Sequence, residues 1–137
     1  MWWIYALLSA LFASLTAIFA KIGITNVNSD LATAIRTAIV LVLAWGIVFA
    51  KGSAGGMQAL TKQNWTFLVL SGLATGLSWI FYFKALQMGK VSQVAPVDKA
   101  SVAMALILSV IFLGEPLTVK TVIGAVMIIA GTVVMIL

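Results

Sequence analysis

The sequence predicts an all-α integral membrane protein of five transmembrane helices, and three observations carry that expectation. Of its 137 residues 64% are hydrophobic and only 8% charged, too little polar surface to coat a soluble globule. Mean hydropathy is +1.21. The apolar residues fall into five runs of membrane length, separated by short stretches of turn formers and end charges.

The runs are Trp2 to Ala20, Leu31 to Ala50, Trp65 to Leu86, Val94 to Leu113 and Thr121 to Leu137, the last expected to begin as a helix near Val119. At about 1.5 Å per helical residue each reaches roughly 25 to 33 Å, which matches a hydrocarbon core of about 30 Å. Between them lie "GITNVNSD", "KGSAGGMQALTKQN", "GKVSQ" and "GEPLTVK", connections too short for a soluble domain. Residues 1–137 therefore read as one five-helix transmembrane domain with a lipid bilayer around it.

The first run ends in "FASLTA", which resembles a cleavage site. It lacks the basic leader of a signal peptide, exceeds a signal core in length and precedes four more spans, so it is read as a span. Trp2, Trp3, Tyr5 and Trp65 sit at run ends, where an aromatic belt meets the membrane interface. Ala6, Ala10, Ala13 and Ala17 form a ridge of small residues suited to helix contact.

In the second run Arg36 stands five residues past Leu31, a position that needs a partner. The third run carries two neighbouring stripes. Gly72, Gly76, Trp79 and Phe83 share one line; Ser71, Thr75, Ser78 and Tyr82 share the next, a ladder of hydroxyls. Gly72 and Gly76 are read as a packing motif. The hydroxyls either bond their own i−4 carbonyls or, with Trp79, face a solute.

The fourth run places Asp98, Ser101, Ala105 and Ser109 on one narrow stripe. Ala105 and Ser109 read as helix-packing positions, as do Gly124 and Gly131 in the fifth run; Asp98 and Ser101 read as binding or gating positions. Asp98 is short and cannot lift its carboxylate out of the membrane, so compensation is expected from a helix N-terminus, Lys99, Lys21, Arg36 or Lys84. Adjacent helical residues point about 100° apart, so Lys99 is not the expected mate. Arg36, able to hold a carboxylate through two hydrogen bonds, is. The structural alternative makes Asp98 a first-turn acid of a helix beginning at Pro96.

The chain has no Cys and no His, and its acids are Asp30, Asp98 and Glu115. Thiolate and imidazole chemistry is thereby excluded and paired-carboxylate catalysis has little to work with, so neither an enzyme nor a cofactor or metal is expected. The net charge of +5 is spread over single cations at span ends. No basic patch with interleaved aromatics is present, and nucleic acid is not an expected partner.

Several stretches resemble a known family: "FAKIGI", "TAIRTAIV", "YFKALQMGKVSQVAPVDKASVAMALILSVIFLGE" and "IGAVMIIAGTVVM" resemble, in order and spacing, the EamA family of the drug/metabolite transporter superfamily, and most of all its short single-unit members. The resemblance implies a polytopic exporter of small metabolites in a bacterial plasma membrane. It further implies a cavity lined by helices one, three and four. Typical members carry ten helices as two inverted halves, whereas this chain holds one half. It also lacks the first-span acid of the four-helix multidrug exporters, so their proton-coupled mechanism does not carry over.

The resulting expectation is a secondary transporter of a small polar or zwitterionic solute, with Asp98 and Arg36 anchoring substrate or latching a gate, working as an antiparallel homodimer of dual topology. On the N-terminal side lie Lys51, Lys62 and Lys120; on the other lie Lys21, Lys84 and Lys90, joined by Arg36 and Lys99 if these snorkel. That is a weak bias. The competing class is a non-transporting membrane subunit whose stripes pack on another protein. A channel is weaker still, with no ring of acids or filter-like glycine run.

Overall fold

The computed structural model describes residues 1–137. It is helical with no strand: α1 (Trp2–Gly23), α2 (Ser29–Ala50), a 3-10 segment (Ser53–Ala59), α3 (Lys62–Met88), α4 (Val91–Lys99), α5 (Ser101–Leu108), a π-turn (Ser109–Leu113) and α6 (Val119–Ile136). With α4, α5 and the π-turn counted as the single stretch Val91–Leu113, five helices are long and apolar enough to cross a membrane. The all-α, five-span expectation is met.

Helix ends lie outside the apolar runs because polar residues cap them. Asn28 accepts from the backbone N–H of Asp30 (2.8 Å) and Leu31 (3.2 Å), which starts α2 at Ser29, ahead of the run beginning at Leu31. Thr61 accepts from the Asn64 N–H at 3.2 Å and starts α3 at Lys62. Thr118 accepts from the Thr121 N–H at 3.2 Å, and α6 begins at Val119, where it was expected. Gly52 and Gly114, at φ 65° and 66°, follow the second and fourth spans in the left-handed conformation that terminates helices.

The chain forms two compact units: Met1–Lys21 with Met88–Leu137, and Ile22–Gln87. In the first, α6 packs on α4 and α5, Ala103 is buried, and Lys21 Nζ donates to the Gly89 carbonyl at 2.8 Å. In the second, Ile24, Ser29, Thr33, Phe83 and Leu86 are buried, and Gln87 Nε2 donates to the Val27 carbonyl, tying the end of α3 to the start of α2. Elsewhere the spans present large apolar side chains outward: Val42 is 72% and Phe81 68% exposed, a surface suited to lipid and not to water.

The fourth span is broken at Ala100, four residues past a proline. Pro96 lies inside α4, and a proline withholds one helical N–H and crowds the preceding turn. At Ala100 the helix tightens, its N–H bonding the Val97 carbonyl at 3.0 Å. The carbonyl of Pro96 thus lacks the regular i+4 donor. Thr132 of α6 supplies one: its hydroxyl lies 3.1 Å from that oxygen and 2.8 Å from the Ile128 carbonyl. Thr132 is buried. A side-chain hydroxyl bonding a carbonyl that has lost its helical donor is how membrane helices tolerate such breaks.

Thr132→Val keeps the shape and removes the donor, at a cost of about 1–2 kcal/mol. Denaturant titration in detergent micelles should show a lowered unfolding midpoint for Thr132→Val and a near-normal one for Thr132→Ser. Equal stability of the valine variant and wild type would contradict this account of the break.

Candidate functional site

Arg36, the only arginine of the chain, lies about 10 Å of helix rise past Ser29, the first residue of α2. Its guanidinium carbon sits 4.3 Å from the centroid of the Trp79 ring and 5.1 Å from that of Phe83. Both rings belong to α3, four residues apart and so on one face. Tyr82, half-buried on the same helix, is within electrostatic reach of the charge. Asp30 is the only acid between residues 22 and 87, and it stands exposed in the first turn of α2, where the positive helix end favours it.

Arg36 is therefore compensated within its unit by ring faces, not by a carboxylate. Placing an arginine at the centre of a span costs about 2.5 to 3.5 kcal/mol on insertion scales, and somewhat less at this depth. Cation–π contact returns about 0.5 to 2 kcal/mol. A ring face attracts the charge but accepts no strong hydrogen bond from the guanidinium N–H groups, which are donors suited to a carboxylate.

Asp98 falls in the other unit and finds its partner next door. Lys99 Nζ approaches Asp98 Oδ2 at 3.2 Å. This corrects the expectation that adjacent residues would not pair: the long lysine stem bends back across the 100° between the two side chains. The side chains of Lys99 and Asp98 are 60% and 35% exposed. Nor is Asp98 a first-turn acid. Its helix starts at Val91, not Pro96, which puts Asp98 in the last turn of α4, where the positive helix end no longer helps it. Lys21, another candidate mate, donates instead to the Gly89 carbonyl.

The hydroxyl ladder divides. Thr75 donates to the Ser71 carbonyl at 2.9 Å, the i−4 bond of the packing reading, while Ser71 and Ser78 are exposed. Ser101 is the first residue after the break and is exposed, as is Ala105; the buried position of α5 is Ala103, on another face. Ser109 donates to the Leu106 carbonyl at 2.9 Å. A Cβ built on Gly72, Gly76, Gly124 or Gly131 would meet no heavy atom within 4 Å. Phe83, read from the sequence only as a neighbour of Trp79, joins the site. Its signal was the i+4 spacing from Trp79, and it is buried.

With this geometry in place, comparison with known proteins decides the family. The sequence pattern of the EamA-like transporter family matches residues 1–137. The chain belongs to that family. A Sinorhizobium sp. protein named "Uncharacterized transporter in cobO 3'region" is 48% identical over 130 residues, covering 95% of this chain and 92% of that one. "Uncharacterized transporter YxxF" of Bacillus subtilis (strain 168) is 29% identical over 130 residues, covering 93% of this chain but 40% of its own length. No solved structure matches at a significant level. This EamA-family chain is thus a multi-pass membrane protein of a transporter family, and Arg36, Trp79 and Phe83 are a charged and aromatic group embedded in its spans.

Proposed function

We propose that the protein exports a small polar or zwitterionic metabolite across a bacterial plasma membrane by alternating access. The observation that carries this reading is Arg36 stacked on Trp79 and Phe83 inside the spans of a chain that belongs to a transporter family. A membrane-embedded ionisable group is retained at a cost and marks a solute or ion pathway. The exposed hydroxyls of Ser71 and Ser78 extend a polar surface along the same helix. Asp98, also within a span, works in this reading as the titratable or latching charge, with Lys99 as the counter-ion that a moving proton or solute displaces.

The working unit is an antiparallel homodimer. Five spans place successive ends on opposite faces of the membrane, and transporters built of inverted repeats obtain alternating access from two such units. Lengths in the family agree with that construction. This chain aligns with 40% of the Bacillus protein, which leaves room for a second unit there, and with nearly all of the Sinorhizobium one. The near-even lysine distribution permits insertion both ways, and the open glycine faces admit a close partner. Those same faces would serve a non-transporting subunit, so flux is the deciding property.

In proteoliposomes loaded with labelled amino acids and small organic acids, wild-type protein should release at least one of them. Asp98→Asn should slow that release about tenfold or more, an effect of roughly 1.4 kcal/mol on the barrier, with insertion unchanged. Wild-type rates from Asp98→Asn would remove Asp98 from the mechanism. No release of any solute would favour the subunit reading.

A single cysteine added near the N-terminus should be about half protected from an impermeant thiol reagent in sealed native vesicles, because dual topology places copies both ways. Protection of all copies, or of none, would falsify the antiparallel arrangement.

A further inference from the structure

We infer that Arg36 is the receptor for a carboxylate of the transported solute, so that the solute class is monocarboxylate anions and not organic cations. The inference rests on the proposed transport function and deepens it.

The geometry sets the chemistry. The guanidinium carbon lies over the rings of Trp79 and Phe83 at 4.3 and 5.1 Å, and ring faces attract the charge without taking up its paired N–H donors. Two parallel N–H donors match the two oxygens of a carboxylate. A lysine could supply charge but neither the stacking nor the fork. The acid of the same unit, Asp30, sits in the first turn of α2, six residues and therefore about 240° around the helix from Arg36, on another face. The threonine hydroxyls on α2 commit their protons to the backbone, while Tyr82 of α3 lies within electrostatic reach of the charge. Thr33 and Thr37 donate to the carbonyls of Ser29 and Thr33 at 2.8 and 2.7 Å.

Charge balance narrows the class further. Arg36 is the only arginine, and no lysine lies within a turn of it on α2. One guanidinium neutralises one carboxylate; a phosphate dianion would leave an uncompensated charge within the membrane, and a cation would be repelled. An arginine this close to a span end can also reach upward to a lipid phosphate. That is the rival source of oxyanion, and it makes the group an anchor.

Because the chain has a single arginine, phenylglyoxal, an arginine-selective reagent, reports on that one residue by intact mass. The protein would be compared in a phosphate-free maltoside detergent and in phosphatidylcholine nanodiscs, with benzoate, inorganic phosphate or tetraphenylphosphonium as probe and chloride salts holding ionic strength constant. In both media Arg36 should be modified, and benzoate at ten times its dissociation constant should slow modification about tenfold, as occupancy requires. Tetraphenylphosphonium should not protect, and phosphate should protect less than benzoate.

Failure of Arg36 to react under conditions that modify free arginine would overturn the proposal, since the group would then be a closed structural contact. So would protection by lipid alone with no further effect of benzoate, or equal protection by the cation. Arg36→Lys separates the outcomes for the transport reading. If proteoliposomes carry solute but carboxylates do not protect Arg36, transport stands and this assignment falls. Protection without flux of any carboxylate leaves a binding site and removes the transport reading on which the assignment rests. Where both hold, Arg36→Lys should weaken benzoate binding about tenfold or more while the protein still inserts.

Discussion

A polar group inside hydrocarbon has no water to turn to, and this constraint organises the molecule. Three breaks in the apolar pattern are matched by specific partners. The carbonyl freed near Pro96 takes the hydroxyl of Thr132; the ammonium of Lys21 takes the Gly89 carbonyl; Asp98 takes Lys99. Without such partners a polar group within the membrane costs several kcal/mol. α6 is therefore more than an apolar rod, because its buried Thr132 hydroxyl bonds a carbonyl left without its helical donor at the break in the fourth span.

Arg36 is the exception that directs attention to function. Its partners are ring faces, whose attraction is weaker than the cost of embedding the charge. Asp98 and Lys99 pair with each other, whereas in the proposed reading Arg36 keeps its N–H donors for the carboxylate of a solute.

Most of the fold was legible in the sequence because hydropathy and length speak directly to membrane insertion. The helix ends were less so. Asn28 and Thr61 look like loop residues until their side chains are seen capping α2 and α3, and the division of the fourth span at Ala100 follows from a backbone donor changing partner. In the candidate site, helical spacing placed Trp79 and Phe83 on one line and singled out Arg36 as needing company. It did not say that the company would be aromatic. Side-chain reach was the quantity missing for Asp98, since facing directions ruled out Lys99 whereas a flexible four-carbon stem allowed it. Gly72 and Gly76 had the spacing of a packing motif, and whatever packs there lies beyond 4 Å of the positions their Cβ atoms would occupy.

The proposed transport function requires one face of α3 to meet water at membrane depth. The chain contains no cysteine, so single cysteines at Ser78, beside Trp79, and at Ile80, about 160° away around α3 and among its exposed apolar residues, can be compared in reconstituted vesicles with a charged, membrane-impermeant thiol reagent. The account predicts that the cysteine at position 78 reacts and that the one at 80 does not. Two unreactive positions, or two that react alike, would contradict a water-lined face on α3.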